Sequence, residues 1–487
     1  MKQWAKKSVL VMGLGETGLS LVRWLTAQGA FVRVADSRNH PPGLDLLKKE
    51  FPKVDIRCGI FRSELAEGME LIAMSPGVPL SDPFVAKAVV HGMPVVGDIE
   101  LFALSLPGEQ GRLPLPNPPP AGEGANELLR KTQVKRKGPK IIAITGSNGK
   151  TTVTSMVGAM CNAAGKEALV AGNISPAVLD VLTQREGKHP DIWVLELSSF
   201  QLETTFSLNA DAATVLNISE DHMDRYKDMG EYIAAKARIF RSNGHGGVQV
   251  LNRDDADSAA MGLLERKHIT FGVNTPPVSD EDWGIEVEGV DTWLVLGKQR
   301  VMKAGELQVS GLHNVSNALA ALALCSAIGL PLKPLVGALR KFRGLPHRVE
   351  EVAKINDVIF YDDSKGTNVG ATVAALKGLG RRAVVILGGD GKGQDFSPLE
   401  AAVAKHARAV VLIGRDAEKI AVALQNCDVP LLQASDMSEA VRLSANQAHA
   451  GDAVLMSPAC ASFDMYRNYV HRAEAFISAV HALEAEA

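Results

Sequence analysis

The stretch Ile141–Thr152, with the sequence IIAITGSNGKTT, decides the fold class of this chain. It opens with an apolar run of strand length and continues into a glycine-rich turn. An apolar pattern with helical spacing follows over residues 153–164. Backbone N–H groups at such a turn and at the next helix N-terminus bind phosphate. The order therefore predicts a P-loop-type ATPase domain with the phosphate-binding residues Gly146, Ser147, Asn148, Gly149, Lys150, Thr151 and Thr152.

Two residues of this loop are expected to act directly on the nucleotide. Lys150 would contact the terminal phosphates of ATP, and the Thr151 hydroxyl would bind Mg²⁺. The usual loop has a further glycine where Ile144 stands, so the turn is shorter than the common form. A glycine-rich helix start without any ligand is the alternative. The complete succession of strand, turn, lysine and helix favours phosphate binding.

Outside this loop, short apolar runs rich in β-branched residues recur between glycine turns and helical patterns. Continuous apolar runs of strand length are typical of parallel strands that helices cover on both faces. They predict an α/β fold with strands at Ser8–Met12, Phe31–Val34, Ile141–Ile144, Trp193–Leu195, Ala213–Leu216, Val358–Tyr361, Val384–Leu387, Val410–Ile413 and Val454–Met456. Alternating residues over Ile285–Val309 predict a small antiparallel excursion.

The length of 487 residues predicts about three domains. We place an N-terminal Rossmann-like domain at 1–106, the P-loop-type domain at 140–345 and a second Rossmann-like domain at 346–487. Between the first two lies 107–139, which is rich in proline and glycine and ends in a basic run. This composition predicts an extended linker or insertion. Contact of its basic residues with nucleic acid is the alternative.

Composition excludes several classes of function. The net charge is −3 and the pI about 6.5, so the chain has no overall attraction to nucleic acid or anionic membranes. No apolar run reaches the roughly 18 residues needed to span a bilayer. The five widely spaced cysteines lack metal or disulfide spacing and suit a reducing compartment. We expect a cytoplasmic monomer that acts on small molecules.

The first predicted strand leads into a second glycine motif. Gly13, Gly15 and Gly18 form GLGETG, and Asp36 ends the next strand near the offset of a ribose-binding carboxylate. This pattern alone would favour a dinucleotide-dependent oxidoreductase, but it often occurs by chance. It indicates that a nucleotide-like anion binds here, without identifying the ligand. A purely structural turn is the alternative.

Metal-binding candidates follow two strands of the central domain. Glu196 ends the run Trp193–Leu195, and His222 follows Ala213–Leu216. Ligands of open parallel sheets bind beyond the carboxyl ends of the strands, so both residues are candidates for Mg²⁺ and its waters. A structural histidine is the alternative. Lys236, in a helical pattern shortly afterwards, taken alone predicts a solvated lysine.

The C-terminal part contains charged loops after its predicted strands. Arg348, Lys365 and Lys392 bring positive charge to one rim of the sheet, which predicts a substrate rich in carboxylates. A solvated basic rim is the alternative. Asn317 lies near the start of a strongly apolar helix, where asparagine either recognises an adenine edge or caps the helix.

Taken together, these motifs resemble the Mur ligases, which build the stem peptide of the bacterial cell wall. The loop TGSNGKTT is shared with folylpolyglutamate synthases, whereas four other motifs in order are more specific. They are Gly97–Phe102 (GDIELF), Leu195–Glu203 (LELSSFQLE), Glu220–Tyr226 (EDHMDRY) and Ser457–Asp464 (SPACASFD). The resemblance covers the chain except 107–139. It implies a three-domain ligase that uses ATP and two Mg²⁺ ions to join D-glutamate to a UDP-sugar through an acyl phosphate.

The resemblance also implies roles at matching positions. Lys150, Lys236 and His222 would be catalytic, and Lys236 would be carbamylated. Thr151, Glu196, His222 and Lys236 would serve the metals. Asn317, Arg348 and Asp363 would bind the adenine, phosphate and ribose of ATP. The UDP-sugar would contact Gly15, Glu16, Thr17, Asp36, Ser37, Arg38, Ser75, Pro76, Gly77 and Asn173. D-glutamate would contact Lys365, Thr367, Lys392, Ser462 and Phe463.

The chain departs from the family pattern at a few positions. Glu16 stands where a nonpolar residue is common, which brings a negative charge to the nucleotide end of the site. Asp362 replaces a usual asparagine and Gly366 a common alanine. A P-loop switch that hydrolyses ATP to drive a macromolecular partner is the remaining alternative class. The basic rim of the last domain argues against it, because it suits a small-molecule pocket.

Overall fold

The structure, a computed structural model, describes residues 4–107, 138–241, 246–309 and 311–486. Most of the predicted linker, 108–137, therefore lies outside the described residues. The described residues form three sheets that helices cover, which confirms the predicted α/β class. The residue boundaries proposed for the three domains stay predictions.

The N-terminal unit contains β1 (Ser8–Met12), α1 (Glu16–Ala27), β2 (Phe31–Asp36), α2 (Leu44–Glu50), β3 (Asp55–Cys58), a 3-10 helix (Ser63–Ala66), β4 (Leu71–Met74), α3 (Pro83–Val90), β5 (Val95–Val96) and α4 (Asp98–Ser105). Its strands are parallel in the order β3-β2-β1-β4-β5. This order is Rossmann-like, as predicted.

The central unit contains β6 (Lys140–Thr145), α5 (Lys150–Ala163), β7 (Ala168–Gly172), α6 (Val178–Gln184), β8 (Ile192–Glu196), α7 (Ser199–Glu203), β9 (Ala212–Val215), α8 (Met229–Ala237), a 3-10 helix (Arg238–Phe240), β10 (Val248–Asn252), α9 (Ala256–Ala260), β11 (His268–Phe271), β12 (Trp283–Glu288), β13 (Asp291–Leu296), β14 (Gln299–Lys303), a 3-10 helix (Ala304–Glu306), α10 (Leu312–Ala327) and α11 (Leu332–Leu339). The strand order is β14-β13-β12-β11-β10-β9-β6-β8-β7. Strands β12, β13 and β14 pair antiparallel, which confirms the predicted excursion.

The C-terminal unit contains β15 (Glu350–Ile355), β16 (Val358–Asp362), α12 (Val369–Gly378), β17 (Ala383–Gly388), α13 (Leu399–His406), β18 (Ala407–Ile413), α14 (Ala417–Ala423), β19 (Leu431–Gln433), α15 (Met437–Gln447), β20 (Ala453–Met456) and α16 (Tyr469–Glu486). The order is β15-β16-β20-β17-β18-β19. The run β19-β18-β17-β20 repeats the Rossmann-like arrangement, whereas β15 pairs antiparallel at the edge.

The hydrophobic cores show how the three units are joined. One core is continuous between the N-terminal and central sheets and includes Phe102 from α4 and Trp193 from β8. A second core lies within the central unit, between β6 and the helices α5 and α10. The C-terminal sheet has its own cores on its two faces. The N-terminal and central units thus share a core, whereas none of these cores joins the C-terminal unit to the other two.

Candidate active site

The predicted phosphate loop joins β6 to α5, and its backbone depends on two glycines. Gly146 and Gly149 have φ of 149° and 81°, a region that non-glycine residues rarely adopt. A Cβ at Gly149 would also lie 2.6 Å from Asn317 Oδ1. Lys150 Nζ donates to the carbonyls of Gly146 and Ser147, both at 2.8 Å. The lysine thus folds back over the loop, where it can reach a bound phosphate.

The metal candidate Glu196 ends β8 and is 2% exposed. Its Oε1 accepts from Asn173 Nδ2 at 3.0 Å, whereas Oε2 has no hydrogen-bond partner among the described residues. A buried carboxylate oxygen without a partner is costly, and a bound cation would compensate it. Carboxylate and hydroxyl oxygens are the donors that Mg²⁺ prefers, so Glu196 and nearby Thr151 fit that ion.

His222 lies in the loop after β9 with φ of 60°. Burial, reinforced by nearby lysine charges, lowers its pKa to about 4. The ring is therefore neutral near pH 7 although Nε2 lies 3.6 Å from the Asp221 carboxylate, and the nitrogen that carries the lone pair could bind a metal ion or its water. The Phe200 ring packs edge-on against it at a centroid distance of 4.7 Å.

Lys236 corrects one expectation from the sequence. The helical pattern alone predicts a solvated lysine, but the side chain on α8 is 2% exposed. Its Nζ donates to the Gly146 carbonyl at 2.9 Å and lies 4.6 Å from the Tyr232 ring centroid. Burial, together with the charge of Lys150, holds the pKa of Lys236 well below its ordinary value. A second amine, from outside the phosphate loop, thus binds the Gly146 carbonyl that Lys150 also binds.

A cavity of about 200 Å³ lies between the N-terminal and central units. It is lined by Glu16, Thr17, Ser75, Pro76, Gly77, Gly172, Asn173, Ile174, Ser175, Ala177 and Gln201. The structure therefore brings together many of the residues predicted for the UDP-sugar. Asn173 lines this cavity and also donates to Glu196, so the cavity adjoins the phosphate loop. Ser175 Oγ donates to Glu16 Oε1 at 2.7 Å and thus binds its unusual negative charge.

Other predicted residues lie apart from this lining, namely Gly15, Asp36, Ser37 and Arg38. The Asp36 carboxylate is buried and accepts from the Leu14 N–H at 2.7 Å and from the Arg38 guanidinium at 2.7 and 2.9 Å. Although burial opposes ionisation, these hydrogen bonds lower the pKa of Asp36. The carboxylate on which the dinucleotide alternative depends is thus already paired within the protein.

The C-terminal unit contacts the phosphate loop directly. Arg348 Nη2 donates to Thr151 Oγ1 at 2.9 Å. Asn368, at the N-terminus of α12, exchanges hydrogen bonds with Asn148 at 3.0 and 3.1 Å. The predicted phosphate-binding Arg348 and the P-loop are therefore adjacent, although they come from different units.

A second polar contact joins the loop that contains His222 to the C-terminal unit. The Lys392 ammonium pairs with the Asp221 carboxylate, and Asn368 Nδ2 donates to Asp221 at 3.4 Å. The Glu220 carboxylate accepts from the Asp395 N–H at 3.0 Å. Lys392, predicted to bind D-glutamate, and His222, predicted to bind a metal ion, thus both lie beside the Asp221 carboxylate.

The residues predicted for the C-terminal unit that remain lie in the loops that follow β16 and β20 and differ in exposure, whereas Asn317 is on α10 of the central unit. Asp363 is buried, accepts from Ser457 Oγ at 2.7 Å, and has its pKa raised by burial to about 7. Lys365 Nζ donates to Tyr469 Oη at 3.1 Å. Thr367 is half-buried and Ser462 is 3% exposed, whereas Phe463 is 73% exposed.

Several residues of the site were missed in the sequence. Asp221 lies inside the motif Glu220–Tyr226 and Asn368 in the loop that follows Lys365, yet neither had an assigned role. A carboxylate directly beside His222, and an asparagine three residues after a loop lysine, are signals that could have identified them. Gln201 lies inside the motif Leu195–Glu203, but neither it nor Ser175 shows in the sequence that it lines a cavity, because only the fold brings them there.

Comparison with known proteins defines the class. The Mur ligase MurD-like N-terminal domain matches residues 7–97, the Mur ligase middle domain 144–325, and the Mur ligase glutamate ligase domain 347–460. The chain belongs to the Mur ligase family.

Two relatives of high sequence identity share the name of a particular ligase of this family. A UDP-N-acetylmuramoylalanine--D-glutamate ligase from Nitrosospira multiformis is 57% identical over 98% of this chain and 96% of its own length. A protein of the same name from Methylobacillus flagellatus is 53% identical, with 99% of both chains covered. The likeness therefore extends over nearly the whole of each sequence.

Solved structures are similar in fold. MurF from Acinetobacter baumannii has a TM-score of 0.58 at 18% identity, covering 98% of this chain and 92% of that one. The UDP-N-acetylmuramate-alanine ligase MurC from Thermotoga maritima has a TM-score of 0.57 at 18% identity, covering 98% and 99%. Among the helices that the structure describes, none is both long and apolar enough to cross a bilayer.

Proposed function

We propose that this chain joins D-glutamate to UDP-N-acetylmuramoyl-L-alanine, with ATP as the energy source, in the synthesis of peptidoglycan precursors. Its near-full-length similarity to ligases of that name supports the substrates. The carrying observation is Asn173, which lines the interdomain cavity and donates to Glu196 beside the phosphate loop. A sugar nucleotide in the cavity would therefore present its far end to ATP.

The reaction follows from this arrangement. A carboxylate oxygen of the alanyl group attacks the γ-phosphorus of ATP, ADP leaves, and an acyl phosphate forms. The D-glutamate nitrogen then attacks the acyl carbon, phosphate leaves, and the nitrogen loses a proton to give the amide. Both steps bring anions together, so the residues of the chain act chiefly by positioning and by balancing charge.

The cations of two units balance that charge. Lys150 would bind the terminal phosphates, and Arg348, which contacts Thr151 from the opposite side, would bind the phosphate that is transferred. Thr151, Glu196 and His222 would hold Mg²⁺, which when bound screens the phosphate oxygens and orients them. Asn317 would bind the adenine, and Asp363 the ribose.

Lys236 suits carbamylation. Only an uncharged amine reacts with CO₂, and burial beside Lys150 favours the uncharged form of Lys236 at neutral pH. The product would be a carboxylate at the phosphate loop, where it could serve a second Mg²⁺. Lys236 Nζ donates to the Gly146 carbonyl at 2.9 Å, so the carbamate would form beside the phosphate loop.

The C-terminal unit would bind D-glutamate through Lys365, Thr367, Lys392, Ser462 and Phe463. Lys392 reaches the central unit by pairing with Asp221, so the amino acid would bind where the two units meet. Closure of the units would exclude water from the acyl phosphate. The five free cysteines suit a reducing cytoplasm, and we propose that the enzyme acts there as a monomer.

The deciding experiment is phosphate release from ATP and Mg²⁺ with UDP-N-acetylmuramoyl-L-alanine, in the presence of D-glutamate, L-glutamate or no amino acid. We expect release only with D-glutamate, together with the amide product. Release with another amino acid would keep the ligase chemistry and overturn the substrate. No release under any condition would overturn the ligase and favour a P-loop switch.

The carbamate is tested with Lys236→Ala. We expect activity to be nearly abolished and not restored by bicarbonate, because the substituted side chain cannot react with CO₂. Bicarbonate supplied to CO₂-depleted wild-type enzyme should restore activity and serves as the positive control. Full activity of Lys236→Ala would overturn the carbamate role.

A further inference from the structure

Arg225 lies in a motif that the proposed mechanism does not use. Its guanidinium belongs to the central unit but reaches the N-terminal unit, where Nη1 donates to the Pro76 carbonyl at 2.9 Å and Nη2 approaches the Val78 carbonyl at 3.4 Å. Nη2 also pairs with Glu203 at 2.8 Å. The side chain is only 11% exposed. A buried guanidinium therefore joins the loop after β4 to the central unit.

Glu203 fixes the arginine in this orientation. Its other carboxylate oxygen, Oε1, accepts from Tyr226 Oη at 2.6 Å. The Phe200 ring lies 4.1 Å from the guanidinium carbon. The planar group is thus held by stacking and by donation in its own plane, which is a geometry that lysine cannot reproduce.

The bond to Pro76 also orients a neighbouring N–H group. The carbonyl of Pro76 and the N–H of Gly77 belong to one trans peptide, in which they point in opposite directions. When Arg225 binds that carbonyl, the Gly77 N–H is directed away from the arginine. Gly77 lines the interdomain cavity, and a glycine there leaves room for close approach of an anion.

The same arrangement connects the cavity to the metal candidates. The Phe200 ring contacts the Arg225 guanidinium, and it also packs against the His222 ring at a centroid distance of 4.7 Å. The loop that lines the cavity and the loop that carries His222 are therefore held in one packed group. Movement of either loop would change the distance between the part of the site that binds the diphosphate and the part that binds the substrate carboxylate.

We propose that Arg225 is a positioning residue for the UDP-sugar: it holds the Ser75–Val78 loop so that the Gly77 N–H binds the diphosphate and the substrate carboxylate meets the metal site. This inference rests on the proposed function and adds a residue to it. Arg225 contacts no reacting atom, so its loss should act on substrate binding more than on turnover at saturation.

The chain offers a matched control in Arg238. This guanidinium also donates to two carbonyls, Leu202 at 2.7 Å and Thr205 at 3.2 Å, and lies 4.9 Å from the Phe206 ring centroid. All these partners belong to the central unit. Substitution of Arg238 removes the same kind of packing and hydrogen bonding without freeing the Ser75–Val78 loop.

The test compares Arg225→Met, Arg225→Lys and Arg238→Met in the full-length protein. Calorimetry gives the Kd of UDP-N-acetylmuramoyl-L-alanine, and steady-state kinetics give KM for each substrate and kcat. For Arg225→Met we expect about 10-fold weaker binding of the sugar nucleotide, with KM for ATP and D-glutamate within about 2-fold. The affinity of Arg225→Lys for the sugar nucleotide should lie between those of that variant and the wild type. Lysine keeps the positive charge but lacks the several N–H donors of the planar guanidinium.

Two results would overturn the inference. One is an Arg225→Met variant that binds the sugar nucleotide as tightly as the wild type does. The other is an equal loss of affinity in Arg238→Met, which would assign the effect to general stability. Failure of the proposed function itself is distinguishable, because it would be seen in the wild-type enzyme as no amide formed from D-glutamate, and the inference would fail with it.

Discussion

The two interfaces of the central unit differ in chemistry. Towards the N-terminal unit the contact has an apolar centre, with polar contacts such as Arg225 to Pro76 around it. Phe102 and Trp193 pack edge to face there at a centroid distance of 5.1 Å, and both are fully buried. They belong to one hydrophobic core that continues through both sheets. Towards the C-terminal unit the contacts are polar, and include Arg348 with Thr151 and Lys392 with Asp221.

This difference separates the part that holds the fold from the part that can move. Separation of the first interface would expose apolar area to water at roughly 25 cal/mol for each Å². The polar pairs of the second interface can instead exchange their partners for water or for ligand groups at little net cost. We therefore expect the first two units to move as one body, and the third to open and close on the phosphate loop.

Phe102→Ala tests the apolar interface and should have the largest effect. Removal of a fully buried phenylalanine leaves a cavity, so the free energy of unfolding should fall by about 3–5 kcal/mol. Because the core is shared, amide exchange should accelerate in both β1 and β8. The measurement is urea unfolding combined with hydrogen exchange followed by mass spectrometry.

The control for this variant is Phe31→Ala, since Phe31 is 65% exposed on β2 and its loss should change stability by less than about 0.5 kcal/mol. If exchange in Phe102→Ala accelerated only in the N-terminal unit, the two sheets would be separate folding units. The contrast between the interfaces would then be wrong.

Arg348→Ala tests the polar interface. Loss of a guanidinium that would bind the transferred phosphate should lower kcat/KM for ATP by about 100-fold or more, which corresponds to about 3 kcal/mol. The free energy of unfolding should change by less than about 1 kcal/mol, because the contact with Thr151 is polar. Arg381→Ala, at an exposed position of the same unit, is the control. A large loss of stability with activity retained would contradict the expectation.

Asp98 is a buried carboxylate in the first interface, between the N-terminal and central units. Gln201 Nε2 donates to Oδ2 at 3.0 Å, and burial raises the pKa to about 6. The folded pKa thus exceeds the ordinary value of about 3.9, so the folded state binds more protons between these two values. Stability from this group is greatest at low pH and is lost as pH rises through about 6.

Asp98→Asn should remove this loss, because an amide oxygen can accept from Gln201 without carrying charge. Relative to the wild type, the variant should gain about 2 kcal/mol in the free energy of unfolding between pH 4.5 and pH 7.5. Urea unfolding of both proteins at the two pH values measures the difference. A difference that does not change with pH would mean that Asp98 is ionised normally within the interface.

The sequence predicted most of the buried strands, because a continuous apolar run is a local signal. The residues expected for β1 agree with its bounds, whereas β17 extends one residue further at both ends and β20 one residue further at its start. The strands β3, β4, β5, β7, β10, β11, β15 and β19 were missed. β3 carries polar residues at its sheet edge and β5 is only two residues long, so neither leaves a periodic pattern. β4 is a buried apolar run of four residues, a signal that the sequence did contain.

Side chains of the site were less predictable where tertiary contacts decide their environment. Lys236 carries no local sign of burial, since the carbonyl that it binds lies 90 residues earlier in the sequence. Arg225 likewise depends on Pro76, which is 149 residues away. Lys150 was predictable because the strand, turn and helix that position it are contiguous.

The smallest effect is expected for Gly370→Ala, which places one methyl group in the polar interface. A Cβ at Gly370 would lie 2.8 Å from Ser219 Oγ and 3.2 Å from Asn148 Nδ2. Because the fold of each unit is unaffected, the methyl group should instead hold the third unit slightly away from the phosphate loop. We expect a loss of about 3–10-fold in kcat/KM for ATP.

Gly337→Ala is the matched control, because its Cβ would meet nothing within 4 Å on the helix α11. Both substitutions place alanine in a helix, which should stabilise each variant by a few tenths of a kcal/mol to about 1 kcal/mol. Only Gly370→Ala should lose activity, as measured by amide formation at limiting ATP. Equal activity of the two variants would mean that the third unit can lie slightly further from the phosphate loop without loss of activity. Catalysis would then not depend on the close contact between Gly370 and the central unit.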